Sequence, residues 1–198
     1  EICACLVGSE MCIRDRYIAV VHVATRLQAL PDTRIAIVSD NSVTMAVYLL
    51  AAMLVRKEVL LLNVHLTARE IENQLCQLHI TTVLHSAKRR EQVPKSVKAI
   101  EIEFIDVMLH DEVKDIFDWT VDDNDIAAIM NTSATTGQFK SVPLRWGQIK
   151  AHVQASQEVL GRTEQDNWLM VLPLFHVSGL SILMRSLYNG TAMTLSLI

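Results

Sequence analysis

From residue 132 to residue 140 the chain reads Thr-Ser-Ala-Thr-Thr-Gly-Gln-Phe-Lys. Hydroxyls at Thr132, Ser133, Thr135 and Thr136, the flexible Gly137 and the cation Lys140 follow an apolar run, Ile126 to Met130. A loop of this make-up suits a polyphosphate. Its backbone N–H groups can line an anion nest, its hydroxyls can donate to phosphate oxygens, and its lysine supplies positive charge. The GxxxxGK[ST] spacing of a Walker A loop is absent. An ordinary Ser/Thr/Gly turn between two strands is the alternative that these residues leave open.

A second segment, Trp168 to Ser186, carries Pro173-Leu174-Phe175-His176-Val177-Ser178-Gly179 and then Leu180-Ser181-Ile182-Leu183-Met184-Arg185-Ser186. An imidazole at His176 can donate to a carboxylate or stack on an aromatic acid. A core histidine bonded to backbone is the other reading. Ser178 and Gly179 either let a substrate approach closely or cap and begin a helix.

The order Thr-Ser-x-Thr-Thr-Gly-x-x-Lys resembles the phosphate loop of the acyl-adenylate-forming superfamily, which includes acyl-CoA synthetases, luciferases and peptide-synthetase adenylation domains. Three positions depart from the usual pattern: Ala134 and Ser141 replace glycines and Phe139 replaces a proline. If that first glycine has positive φ, Ala134 costs roughly 1–2 kcal/mol of strain. The segment around His176 resembles the superfamily's aromatic-His motif beside the acyl pocket. With Arg34 to Ser42 and Glu58 to Thr67, the string Phe175 to Ser186 is similar to the o-succinylbenzoate–CoA ligase family of menaquinone biosynthesis. The resemblance covers residues 18 to 198.

It implies an AMP-forming acid–CoA ligase. A carboxylate first joins the α-phosphate of ATP and expels pyrophosphate; the thiol of coenzyme A then displaces AMP. ATP, Mg²⁺ and coenzyme A follow as cofactor and co-substrates. Thr132, Ser133, Thr135, Thr136, Gly137 and Lys140 fall at phosphate-binding positions, and His176, Ser178 and Gly179 on the acid side. The superfamily's later motifs are an acid for Mg²⁺, an aspartate for ribose, a hinge and a lid with a catalytic lysine. They have no counterpart in this sequence, so residues 17–198 are expected to be a truncated N-terminal AMP-binding domain, inactive by itself. Another acyl- or aryl-CoA synthetase, and a non-catalytic remnant, stay open beside this reading.

Alternating strand and helix patterns must position these residues. Arg34 to Val38 reads as a strand. Asp40, Asn41 or Ser42 can cap a helix that runs to about Val55. Val59 to Val64 and Ile80 to Leu84 are strands, separated by a helix from Thr67 to about Leu78. Thr67 and Glu70 predict a capping box there, and Leu66 with Ile71 a hydrophobic staple. Such alternation gives an α/β fold, mostly parallel sheet flanked by helices. Residues 87 to 124 read as a surface connection with one strand near Ile100 to Ile105. Lys88-Arg89-Arg90 and Asp122 to Asp125 are expected to be solvated. After the loop come a return strand, a helix from Trp146 to Leu160 ended by Gly161, a strand from Leu169 to Leu172, a helix capped by Ser178, and a last strand from Ala192 to Leu197.

Composition narrows the classes. Among 198 residues, 18 are basic and 22 acidic, a net charge of −4 that gives no reason to expect nucleic acid. The apolar run Met45 to Val55 is too short to cross a bilayer, and no secretory signal pattern opens the chain. A cytoplasmic protein with small-molecule substrates and no membrane insertion is expected; assembly with copies of itself is left open. Cys3, Cys5 and Cys12 crowd the start, but no second Cys pair or His supports a metal site. The string Val7 to Arg16 looks like translated sequencing-adapter read-through, so residues 1–16 are expected to be a non-native leader. His22, His65, His79, His85, His110 and His152 show no ligand spacing. Met45, Met53, Met170 and Met184 read as core filler.

Overall fold

In chain order the elements are β1 (Leu6–Val7), α1 (Ile13–Gln28), β2 (Arg34–Val38), α2 (Val43–Leu54), β3 (Glu58–Leu61), α3 (Ala68–Gln77) and β4 (Thr82–His85). A 3-10 turn (Ala87–Gln92) follows, then β5 (Lys98–Glu101), β6 (Ile126–Thr132), β7 (Lys140–Arg145), α4 (Trp146–Leu160), β8 (Asn167–Met170), α5 (Val177–Asn189) and β9 (Ala192–Leu195). The computed structural model describes residues 6–7, 13–104, 117, 120–132 and 139–195, with backbone alone for residues 6, 7 and 13–16.

Six strands form one sheet in the order β5-β4-β2-β3-β6-β7. All neighbours are parallel except β6 and β7, which pair antiparallel. The α/β reading with a mostly parallel sheet therefore holds. A second, three-stranded parallel sheet, β1-β9-β8, stands apart from it.

Strands β2, β3 and β4 are buried nearly throughout, which is why they read as continuous apolar runs rather than as alternating patterns. Helix α2 is apolar on most of its surface because it is sandwiched in the core; Met45, Leu49 and Ala52 are wholly buried. Ser42 is its cap, accepting from Met45 N at 3.0 Å. The capping box of α3 is present in both halves: Glu70 N donates to Thr67 Oγ1 and Thr67 N donates to Glu70 Oε2 at 2.8 Å. Met45, Met53, Met170 and Met184 are all buried.

Several boundaries differ from expectation. Strand β8 runs from Asn167 to Met170, and the Leu172 carbonyl beyond it accepts from Asn41 Nδ2 instead. The strand placed at Ile100 to Ile105 lies at Lys98–Glu101, in register with β4. Arg89 is not a solvated charge: its guanidinium pairs with Asp40 and donates to Val64 O at 3.3 Å. The acidic turn also has a structural role. Asp125 O and Asp123 O accept from Trp146 N and Gly147 N at 3.1 and 2.9 Å, tying down the start of α4, and the Asp123 carboxylate pairs with Lys150. His85 is buried, with Nδ1 3.1 Å from Ser86 O.

Candidate active site

The phosphate loop joins β6 to β7. Asn131 pairs with Ser141 and Thr132 with Lys140, so the loop is the tip of a hairpin and Lys140 stands at its foot. Thr132 and Lys140 are both exposed, and Thr132 Oγ1 donates to Lys140 O at 3.3 Å. Ser133, Ala134, Thr135, Thr136 and Gly137 lie outside the described residues. The foot of the hairpin is fastened to the core. Ser141 Oγ donates to Asn131 Oδ1 at 2.6 Å, and Asn131 Nδ2 donates to Gln74 Oε1 of α3, whose side chain is buried.

Strand β7 leads straight into α4, and α4 packs on α5. Between them lies an apolar cavity of about 610 Å³. Its polar lining comes from Gln148 and His152 on α4 and from Ser178, Ser181 and Arg185 on α5. Leu172 and Val177 stand on either side of the His176 turn and also line it. The Arg185 guanidinium carbon sits 4.4 Å from the Trp168 ring centroid, a cation–π contact on the cavity wall. Burial pushes the Arg185 pKa down, though an arginine keeps its proton. Arg185 Nε and Trp168 Nε1 are both buried, and neither has a hydrogen-bond partner among the described residues. The two side chains cover each other, and leaving two donors without acceptors is costly.

His176 is exposed and stacks at a tilt on Phe175, ring centroids 4.7 Å apart. The core-histidine alternative is therefore excluded. His176 is itself the N-cap residue of α5, with extended backbone and no side-chain cap bond. Ser178 does not cap the helix; it lies in the first turn, exposed, and lines the cavity. Gly179 has a different role from the expected one. It is buried, and a Cβ there would meet Pro173 O at 2.1 Å and Leu172 O at 2.7 Å. Its missing side chain lets α5 sit on the backbone of the Leu172–Pro173 turn rather than admitting a substrate.

A second cavity of about 890 Å³, with charged side chains on its wall, opens where the parallel strands end. Asp40 and Asn41 after β2, His65 after β3 and Ser86 to Arg89 after β4 line it. The chain leaves β2 toward β3 and leaves β4 toward β5, so this is a point where the sheet's connections diverge, the usual ligand crevice of an open α/β sheet.

The family model for AMP-binding enzymes matches residues 9–196. The chain belongs to the AMP-binding enzyme family. One curated relative, the 2-succinylbenzoate–CoA ligase of Lactococcus lactis, is 49% identical over 163 residues, covering 82% of this chain and 35% of the relative. An AMP-binding enzyme of known structure, the o-succinylbenzoate CoA synthetase of Bacillus subtilis in complex with the acyl-adenylate intermediate OSB-AMP, superposes with a TM-score of 0.84 at 26% identity, covering 98% of this chain and 52% of that one. The same synthetase in complex with ATP and magnesium ion gives 0.83 at 26% identity, covering 98% and 54%. The chain spans about a third of the length of the curated relatives it matches.

Gln148, His152, Trp168 and Arg185 were not singled out by sequence. A signal for Arg185 existed: Ser178, Ser181, Ile182 and Arg185 follow helical spacing along one face, and all four line the cavity. Gln148 and His152 are likewise one turn apart on α4.

Proposed function

We propose that this chain carries the phosphate- and acid-binding part of an AMP-forming acid–CoA ligase whose acid is o-succinylbenzoate, a reaction of menaquinone biosynthesis. ATP, Mg²⁺ and coenzyme A are its other reactants. The observation that carries the proposal is the apolar cavity with Arg185, Ser178 and Ser181 on its wall, next to the turn that bears the exposed His176. o-Succinylbenzoate is an aromatic acid with two carboxylates. One must react, and the other must be held; an apolar wall ending in a guanidinium suits the one that is held. Relatives named for this substrate support the same reading.

In the first half-reaction Thr132, Ser133, Thr135, Thr136, Gly137 and Lys140 hold the β- and γ-phosphates and disperse the charge of departing pyrophosphate. Hydroxyls suit that task because pyrophosphate must also leave. His176 orients the reacting carboxylate, and Ser178 lies beside it. Among the described residues no group of three or more His, Cys, Asp or Glu side chains can hold a metal ion. No helix among the described residues is long and apolar enough to cross a membrane. A ligase acting on ATP and coenzyme A would work in the cytoplasm.

To test it, the chain is joined to the part of the Lactococcus lactis ligase beyond the matched region, and acid-dependent pyrophosphate release is measured. o-Succinylbenzoate should outperform benzoate, coumarate and medium-chain fatty acids. Preference for a fatty acid would remove the substrate assignment.

A further inference from the structure

Asn41 lies in the loop between β2 and α2, next to the Ser42 that caps α2. Its amide reaches across the molecule to the turn that precedes α5. Nδ2 donates to Leu172 O and Oδ1 accepts from Leu174 N, both at 2.9 Å. An amide side chain offers donor and acceptor in one plane, so Asn41 bonds this turn as a neighbouring strand would. Pro173, between the two bonded groups, has no N–H to contribute.

The turn is gripped from the other side as well. Gly179 brings the backbone of α5 against Pro173, and Pro173 O accepts from His176 N at 3.0 Å. Leu174 and Phe175 are buried, while His176 and Val177 are exposed. Leu172 and Val177 line the cavity between α4 and α5, and Val171, Pro173 and Phe175 line the one at the strand ends. The turn is thus the wall between the two cavities, and Asn41 ties that wall to the six-stranded sheet.

We propose that Asn41 is a positioning residue that fixes the turn bearing His176, whose Leu172 and Val177 line the acid cavity. This rests on the acid-side role proposed for His176. A residue of this kind acts on acid binding and leaves the phosphate hairpin alone, because β6 and β7 are fastened separately, through Asn131, Ser141 and Gln74.

The test uses the chain as it is. Asn41→Ala removes both bonds. Asn41→Asp keeps the acceptor for Leu174 N–H but sets a carboxylate oxygen against Leu172 O. Amide exchange is followed at Leu174, with Leu75 in α3 as reference, and calorimetry measures affinity for o-succinylbenzoate and for ATP. In Asn41→Ala, exchange at Leu174 should rise about tenfold or more with Leu75 unchanged, and acid affinity should fall about tenfold with ATP affinity unchanged, the expected weight of two hydrogen bonds. Asn41→Asp should keep Leu174 protected and still lose acid affinity. Unchanged exchange at Leu174, a rise shared equally by Leu75, or unchanged acid affinity with an opened turn would each overturn the proposal. If the unaltered chain binds ATP but not o-succinylbenzoate, the substrate assignment fails alone, and the exchange comparison still decides whether Asn41 holds the turn.

Discussion

Replacing Gly179 by alanine should destabilise the protein, against the usual trend for glycine in a helix. Alanine in a helix is favoured over glycine by up to about 1 kcal/mol, so an unhindered site would gain stability. Here the new Cβ would lie 2.1 Å from Pro173 O, 2.6 Å from Pro173 C and 2.7 Å from Leu172 O. Ordinary contact begins near 3.4 Å, so Pro173 O must retreat by ~1.3 Å. The obstructing atoms are backbone, and the turn they belong to is held by Asn41, so no side-chain rotation relieves the clash. Overpacking costs about 1–3 kcal/mol. Offset by the full helix preference, the net loss is up to about 2 kcal/mol, or up to about 8 °C in Tm for a chain of this size. Thermal unfolding followed by circular dichroism reads this directly. The movement also shifts His176, so o-succinylbenzoate affinity should fall with it. A Tm equal to or above that of the unaltered chain would refute the close approach of α5 on Pro173, and with it the role of Gly179 in seating α5 on that turn.

In the joined ligase, Lys140→Ala should slow ATP-dependent adenylate formation, while His176→Ala should chiefly impair use of the acid; each should cost one to two orders of magnitude, as losing a hydrogen bond to a charged group costs roughly 1.5–3 kcal/mol. Arg185→Gln should weaken o-succinylbenzoate far more than benzoate, since only the dicarboxylic acid has a second carboxylate to lose; equal effects on both acids would count against the Arg185 contact. Asp32 bears on pH. A hydrogen bond from Thr81, opposed by burial and reinforced by Thr82 and by the charge of Lys57, holds its pKa below the ordinary value. Its stabilising contribution is present above the unfolded-state pKa of about 3.9 and is lost as pH falls through the lower folded value. Asp32→Asn should therefore lower Tm at neutral pH, and the two proteins' Tm values should converge as the solution is acidified below about pH 4.

The sequence by itself determined what rests on local chemistry and periodicity. Strand β2, the capping box of α3, the full extent of α4 and the glycine stop at Gly161 follow from neighbours a few residues apart. So does the hairpin setting of Lys140. Tertiary structure decided whatever depends on partners far along the chain. Asn41 looked like one of three helix caps, yet its bonds run to Leu172 and Leu174, 131 and 133 residues away. Arg89 looked solvated until β4 brought it beside Asp40. Arg56 and His79 end α2 and α3 with positive φ where glycine is the usual residue, which no glycine-based rule would place. Gly179 looked like room for a substrate and proved to be room for a backbone. Arg185 came to line a cavity only when α4 and Trp168 closed around its helix face. Local pattern records what a residue prefers, whereas burial and hydrogen-bond satisfaction are settled by whatever the fold brings into contact.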